Sequence, residues 1–155
     1  MNLAWNGQEI IAAPVAEVWA FITDPAKIAS CLPDVLESTV HDANNFDAVV
    51  QVAVGPVRGK FKFKVALDPQ PAANHMNLKI SGGGFGSVVD LLAGADIKDD
   101  GNATTTLDWN GTATMRGPVA TVGGRVLDAQ AKRVIETTFA NVKTRIGEEA
   151  VAGRP

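Results

Sequence analysis

The 155 residues are 46% hydrophobic and 20% charged, a composition that fits one globular domain burying roughly 68 to 70% of its unfolded surface. Lysine and arginine number 14 against 17 aspartates and glutamates, and the formal net charge of -3 offers no overall field for a polyphosphate chain, which argues against nucleic acid as a partner. The single cysteine, Cys31, can form no internal disulfide and is too few for structural zinc, as suits a reducing compartment.

The first residues, Met1 to Glu9, lack the basic start and apolar run of a secretory signal. No apolar stretch approaches the roughly 20 residues that span a bilayer. A cytoplasmic protein is expected, with contact at a membrane surface left open.

Residues Gln8 to Ala13 read as a short strand. Pro14 suits the first turn of the helix that follows, where its missing N–H would be unpaired in any case. Val15, Val18, Trp19 and Ile22 recur at three- and four-residue spacing and define a buried face. Thr23-Asp24-Pro25 ends that helix and opens a second, Ala26 to Leu32, with Ile28, Ala29 and Leu32 on one side and Pro33 as the stop.

From Val35 to Met115 the period changes to two, broken by turn residues, the pattern of an antiparallel meander with one wet face. Phe46, Ala48, Val50, Val52 and Val54 form one inward row. After a turn at Gly55-Pro56, Phe61, Phe63, Val65 and Leu67 form the next, opposite Lys60, Lys62 and Lys64. A further turn is expected at Asp68-Pro69-Gln70-Pro71. Met76, Leu78 and Ile80 mark the following strand, Ser81 to Gly86 interrupt the pattern, and Val89, Leu91, Ala93, Ala95 and Ile97 restore it. A polar hairpin at Lys98 to Asn102 leads to the clearest strand, with Thr105, Leu107, Trp109, Gly111, Ala113 and Met115 inward.

After Gly117-Pro118 the period returns to 3.6. Val119, Val122, Val126, Leu127, Val134, Ile135, Phe139, Val142 and Ile146 trace one side of a helix running to about Gly147, roughly 28 residues and about 42 Å long. Such a helix on the concave face of a twisted sheet cannot touch it everywhere, so a hollow between the two is expected. Residues 1–147 are read as one domain and Glu148 to Pro155 as a flexible tail.

The order strand, two short helices, meander and long terminal helix resembles the helix-grip, START-type superfamily of α+β proteins, to which the birch-pollen allergen and polyketide cyclases belong. The local sequence is more specific. Ala13-Pro14 with Glu17-Val18-Trp19, Asp24-Pro25 and Cys31-Leu32-Pro33 resembles the opening of the carbon monoxide dehydrogenase CoxG family. Val54-Gly55-Pro56-Val57 with Phe61 is similar to its centre, and Val122-Gly123-Gly124-Arg125-Val126-Leu127-Asp128 with Phe139-Ala140-Asn141 to its terminal helix. The likeness runs in order over about residues 7 to 146. It implies an accessory protein of a molybdenum hydroxylase of the carbon monoxide dehydrogenase type, with an apolar cavity for a lipid-like molecule such as an isoprenoid quinone and a role in bringing enzyme and membrane together. Many relatives have a C-terminal extension that reaches the membrane, where this chain stops at Pro155. Glu9 also departs from the apolar residue usual in relatives.

Large inward residues mixed with small ones mark the candidate binding wall: Trp19, Leu32, Phe61, Phe63, Leu91, Trp109 and Met115, with Gly59, Ala93, Gly111 and Ala113 between them and Leu127, Ala131, Val134 and Ile135 on the helix. The same residues would serve equally as a solid core. Arg58, Lys60, Lys62 and Lys64 place cations about 6.6 Å apart on one strand face. Such a ladder is ordinarily a solvated face that discourages edge pairing, and it could also meet anionic headgroups or an acidic partner.

The run Ser81 to Gly86 lacks the strand-to-helix setting of a phosphate loop and reads instead as a bend, a bulge or a close approach of the chain to a guest. His41 and His75 have no nearby acidic partner in sequence and no metal-ligand spacing, and both are expected to be exposed. Cys31 reads as a buried or semi-buried thiol, and Asp90, Asp96 and Asp108 fall on the outward phase. No catalytic residue, metal or cofactor is assigned. The open case is Glu9: an exposed strand edge is the more ordinary setting, whereas an inward carboxylate in an apolar pocket could act as acid or base in a cyclase or lyase. A docking subunit with a filled core and no ligand is the third alternative.

Overall fold

In a computed structural model of the chain, which describes residues 1–152, the period-two segments form β1 (Asn2–Ile11), β2 (Val35–Val40), β3 (Asn45–Val54), β4 (Val57–Gln70), β5 (His75–Gly84), β6 (Ser87–Gly101) and β7 (Thr104–Arg116). All pair antiparallel in one sheet of order β1-β7-β6-β5-β4-β3-β2. Every neighbouring pair but one is consecutive in the chain. The exception is β1, which pairs with the last strand from Asn2 opposite Thr114 to Ile11 opposite Thr105.

Two short helices follow β1: α1 (Val15–Ile22) and α2 (Pro25–Cys31). Asp24 caps α2, its carboxylate accepting from the backbone N–H groups of Ala26 at 3.0 Å and Lys27 at 3.3 Å, with Pro25 in the first turn where no N–H is needed. A 3-10 turn at Pro118–Val122 leads from β7 into α3 (Gly124–Ala152). The backbone of α3 comes closest to β1 and β3 on the sheet and to α1, α2 and the 3-10 turn at its ends.

The apolar residues form two clusters rather than one. The larger gathers Ile11, Val18, Phe21, Ile22, Cys31, Phe46, Val65, Leu67, Ile97 and Leu107 under α1, α2 and the C-terminal half of α3, through Val142 and Ile146. Its one buried polar group is satisfied, because the Thr105 hydroxyl donates to the Ala13 carbonyl at 2.8 Å. The smaller lies at the other end of the grip and joins Val54, Val119 and Leu127 with Leu3, Val52, Val89, Met115 and Val122.

Several boundaries differ from the sequence reading. β1 starts at Asn2 rather than Gln8, β4 carries straight through Asp68 to Gln70, and β6 extends to Gly101. The final helix begins at Gly124 and not Val119, with Val126 exposed. It continues through Ala152, so Glu148 to Ala152 are helical where a tail is expected from sequence, and residues 153–155 of that tail lie outside the described residues. The glycine run is strand up to Gly84, with the turn at Phe85-Gly86. Gly82 lies so close to the Lys62 carbonyl, and Gly83 to that of Ser87, that neither has room for a side chain.

Candidate functional site

The sheet register shows what lies beneath α3. Leu67, Leu78, Ala93, Gly111 and Trp5 make one inward row across β4, β5, β6, β7 and β1, and Ala95, Trp109 and Gly7 lie in the next. Small residues thus occupy the centre of the sheet face. Above them, the helix is fully buried only at Leu127, Val142 and Ile146, near its two ends. No residue of α3 from Asp128 to Asn141 is fully buried, although this stretch crosses the sheet. A helix seated on a packed core would bury a continuous stripe; between Leu127 and Val142 this one is at most partly buried, with Phe139 resting on the larger cluster.

The candidate wall residues divide accordingly. Trp19 and Leu32 pack, partly buried, against the larger cluster, and Met115 and Leu127 belong to the smaller. Phe61, Phe63, Leu91, Trp109, Ala131, Val134 and Ile135 fall in neither and form a band between them. Phe61 is buried, its ring 6.1 Å from that of Phe63, and the other six, three on the sheet and three on α3, are half-buried.

Where the band meets the sheet edge, a cleft of about 330 Å³ opens between β1 and α3, lined by Trp5, Trp109, Asp128, Lys132 and Ile135 among others. Trp109 stacks at 5.6 Å from Phe139, and the N–H edge of its indole lies against Gly7. Among the described residues its Nε1 is a buried side-chain donor with no acceptor. The Trp5 Nε1 instead donates to Asp128 Oδ1 at 2.7 Å, and Lys132 Nζ lies 3.0 Å from Oδ2. Lys132 first, and Trp5 after it, hold the Asp128 carboxyl below the usual carboxylate range. Trp5 is not among the residues expected here, since the alternation in sequence becomes clear only after it.

Glu9 corrects the expectation of an outward edge. It shares the inward phase of Leu3, Trp5, Gly7 and Ile11, its side chain is 26% exposed, and its Oε2 accepts from Lys143 Nζ of α3 at 3.4 Å. Its carboxylate is therefore tied to the helix at the sheet edge.

The histidines are expected from sequence to lack acidic partners, and both have one. His41 Nε2 lies 2.8 Å from Asp47, and His75 Nδ1 lies 2.7 Å from Asp96, with His75 Nε2 2.8 Å from Asn77 Oδ1. The Asp96 contact, reinforced by Asn77, raises the His75 pKa above its ordinary value. Cys31 is fully buried, and burial pushes its thiol up and away from the reactive thiolate. Arg58, Lys60, Lys62 and Lys64 all point outward from β4.

No described helix is long and apolar enough to cross a membrane. The family model for CoxG of carbon monoxide dehydrogenase matches residues 7–147. Comparison with curated proteins gives no match. Among solved structures, a conserved protein from Geobacillus kaustophilus is 25% identical with a TM-score of 0.84, over 96% of this chain and 96% of its own. A START superfamily protein from Mycobacterium smegmatis is 14% identical with a TM-score of 0.72, over 94% of this chain and 97% of that one. The Zhui aromatase/cyclase from Streptomyces sp. R1128 is 15% identical, also at 0.72, over 100% of both. These last two likenesses concern the fold alone, which is START-like: a helix-grip sheet closed by a long terminal helix. By the match along nearly its whole length, the chain belongs to the carbon monoxide dehydrogenase CoxG family.

Proposed function

We propose that this protein is a non-catalytic accessory subunit of a molybdenum hydroxylase of the carbon monoxide dehydrogenase type, which carries a hydrophobic small molecule, a lipid or isoprenoid quinone, between its sheet and α3 and helps bring the enzyme to the inner face of the membrane. Family membership supports the enzyme partner. The observation that carries the ligand is the half-buried band beneath α3: Phe63, Leu91 and Trp109 face a helix whose middle has no fully buried residue. Such a band gains from an apolar guest at roughly 25 cal/mol per Å² covered, before the cost of association. The cleft of about 330 Å³ at the β1 edge is at the small end of ligand sites and gives that guest an approach.

The test is mass spectrometry of an organic extract of the protein, purified gently from its native host beside a mock preparation. A stoichiometric lipid or quinone is the expected result. An empty extract, with no thermal shift on adding quinones, would leave a docking subunit with a filled core.

The cyclase-type alternative has one observation in its favour, the inward phase of Glu9. Against it, the Glu9 carboxylate is engaged by Lys143. The carrier reading expects Glu9→Gln to leave ligand content unchanged; turnover of a bound guest that Glu9→Gln abolishes would replace it with an enzyme.

A further inference from the structure

We infer that the end of the grip formed by the β3–β4 turn, the β5–β6 turn and the 3-10 turn docks on an anionic lipid surface. The charges of the sheet are segregated along its strands. At this end stand Arg58, Lys60 and Lys62 on β4, Arg116 at the end of β7 and Arg125 in the first turn of α3. The register puts Lys62, Gly83, Val88 and Arg116 in one row across four strands. At the opposite end are Asp42, Asp68, Asp96, Asp99, Asp100 and Asp108, and the lysine among them, Lys98, is bound to Asp108 at 3.2 Å.

Four of the five cations of the first end are available, Arg116 being paired with Asp90. Among the described residues Arg58, Lys60, Lys62 and Arg125 form no ion pair, as is also true of Lys64, Lys79 and Arg145, while Lys27, Lys98, Lys132, Arg133 and Lys143 each have one. The carboxylates nearby are committed or set apart: Asp90 faces Arg116 at 3.7 Å, Asp128 holds Lys132 and Trp5, and Glu37 lies two strands from Lys62. A chain of net charge -3 thus presents one locally cationic end.

Apolar side chains project between these cations. Phe85, at the tip of the β5–β6 turn, is 67% exposed and held in left-handed backbone with φ 54°, its ring edge over Gly59, where a side chain would collide with it. Val126 beside Arg125 is 46% exposed, and Val88 in the Lys62 row 37%. Single apolar groups on separate turns, ringed by cations, suit insertion into a headgroup layer better than a flat acidic protein surface, which would need one continuous complementary patch. Just beneath lies the smaller cluster of Val54, Val119 and Leu127, so docking would set that end of the hollow against lipid.

This deepens the membrane part of the proposed function by naming the surface. The experiment is co-sedimentation of the full chain with vesicles of phosphatidylcholine, alone or mixed with phosphatidylglycerol, in low and in physiological salt. Binding to the mixed vesicles alone, weakening as salt rises, is expected. Arg58→Gln and Lys60→Gln should each lower partitioning by about fivefold. Phe85→Ser should lower it too without reducing thermal stability, and Lys98→Gln at the far end should change nothing. Equal binding to both vesicle types, or undiminished binding by the Lys60→Gln chain, would overturn the inference. So would failure to bind any vesicle when Arg58 and Lys60 are needed to bind the purified hydroxylase. Because the vesicles contain no quinone, this result is independent of the extract, and either can fail alone.

Discussion

Trp109 shows how a single small neighbour fixes the place of a large ring. A Cβ at Gly7 would sit 2.9 Å from Cζ2 of the indole, so glycine there lets the N–H edge of that ring come up against β1. Gly7→Ala should displace the ring and destabilise the fold by about 1 to 3 kcal/mol, the usual cost of overpacking. Thermal unfolding with tryptophan emission measures both effects, and an unchanged melting temperature would show that the ring has slack. His75 yields a pH prediction. Both its ring nitrogens face oxygen acceptors, so the cation is the matched form and its folded pKa lies above the ordinary 6.5. A raised folded pKa stabilises fully below the unfolded value and fades as pH rises through the folded one. A small decline in melting temperature as pH climbs above about 6.5 is expected, and it should be missing in His75→Gln. This contact is illegible in sequence because Asp96 lies 21 residues away and only the β5–β6 register sets it opposite His75. The buried state of Cys31, by contrast, follows from its apolar neighbours alone.

At the scale of elements, the strand alternation is readable wherever large apolar residues carry it, as in β3, β4 and β7. β1 reads short because its inward phase is Leu3, Trp5, Gly7, Glu9 and Ile11, a row in which a glycine and a carboxylate hide the period. The end of the sheet that β1 forms is fastened to α3 by the Trp5 hydrogen bond to Asp128. Asp128→Asn keeps the shape but weakens a charge-assisted bond, and Trp5→Phe removes it; losses of about 1 to 3 kcal/mol are expected for the latter. Hydrogen exchange should then rise in β1 while β3 and β4 stay protected, and uniform exchange across the sheet would contradict a local fastening. The misplaced start of α3 has a clear cause. Val119 and Val122, three apart in a 3-10 turn, continue the helical spacing, and the break comes only at Gly123, whose φ of 104° no helix allows. Past Ile146 the apolar stripe ends, so sequence suggests fraying. An ion pair between Lys27 of α2 and Glu149 at 2.9 Å joins the last turns of α3 to the body instead.

For the whole molecule, element order and period suffice for the fold, since a meander followed by one long amphipathic helix leaves few ways to cover the apolar face. A hollow is expected from the sequence only as a conflict of lengths, because periodicity reports which side a residue faces and not whether anything fills the space opposite it. Ala93 and Ala131 look the same in sequence whether they line a gap or close-packed core. The most direct test of the central claim is therefore the thermal unfolding of Ala93→Leu, at the middle of the small-residue row beneath α3. If that row lines a hollow, the added carbons find room and gain roughly 0.8 kcal/mol per buried methylene, so the melting temperature should hold or rise. If the space is already filled, the leucine must be forced in at a cost of about 1 to 3 kcal/mol, and a melting temperature lowered by several degrees would contradict the carrier account.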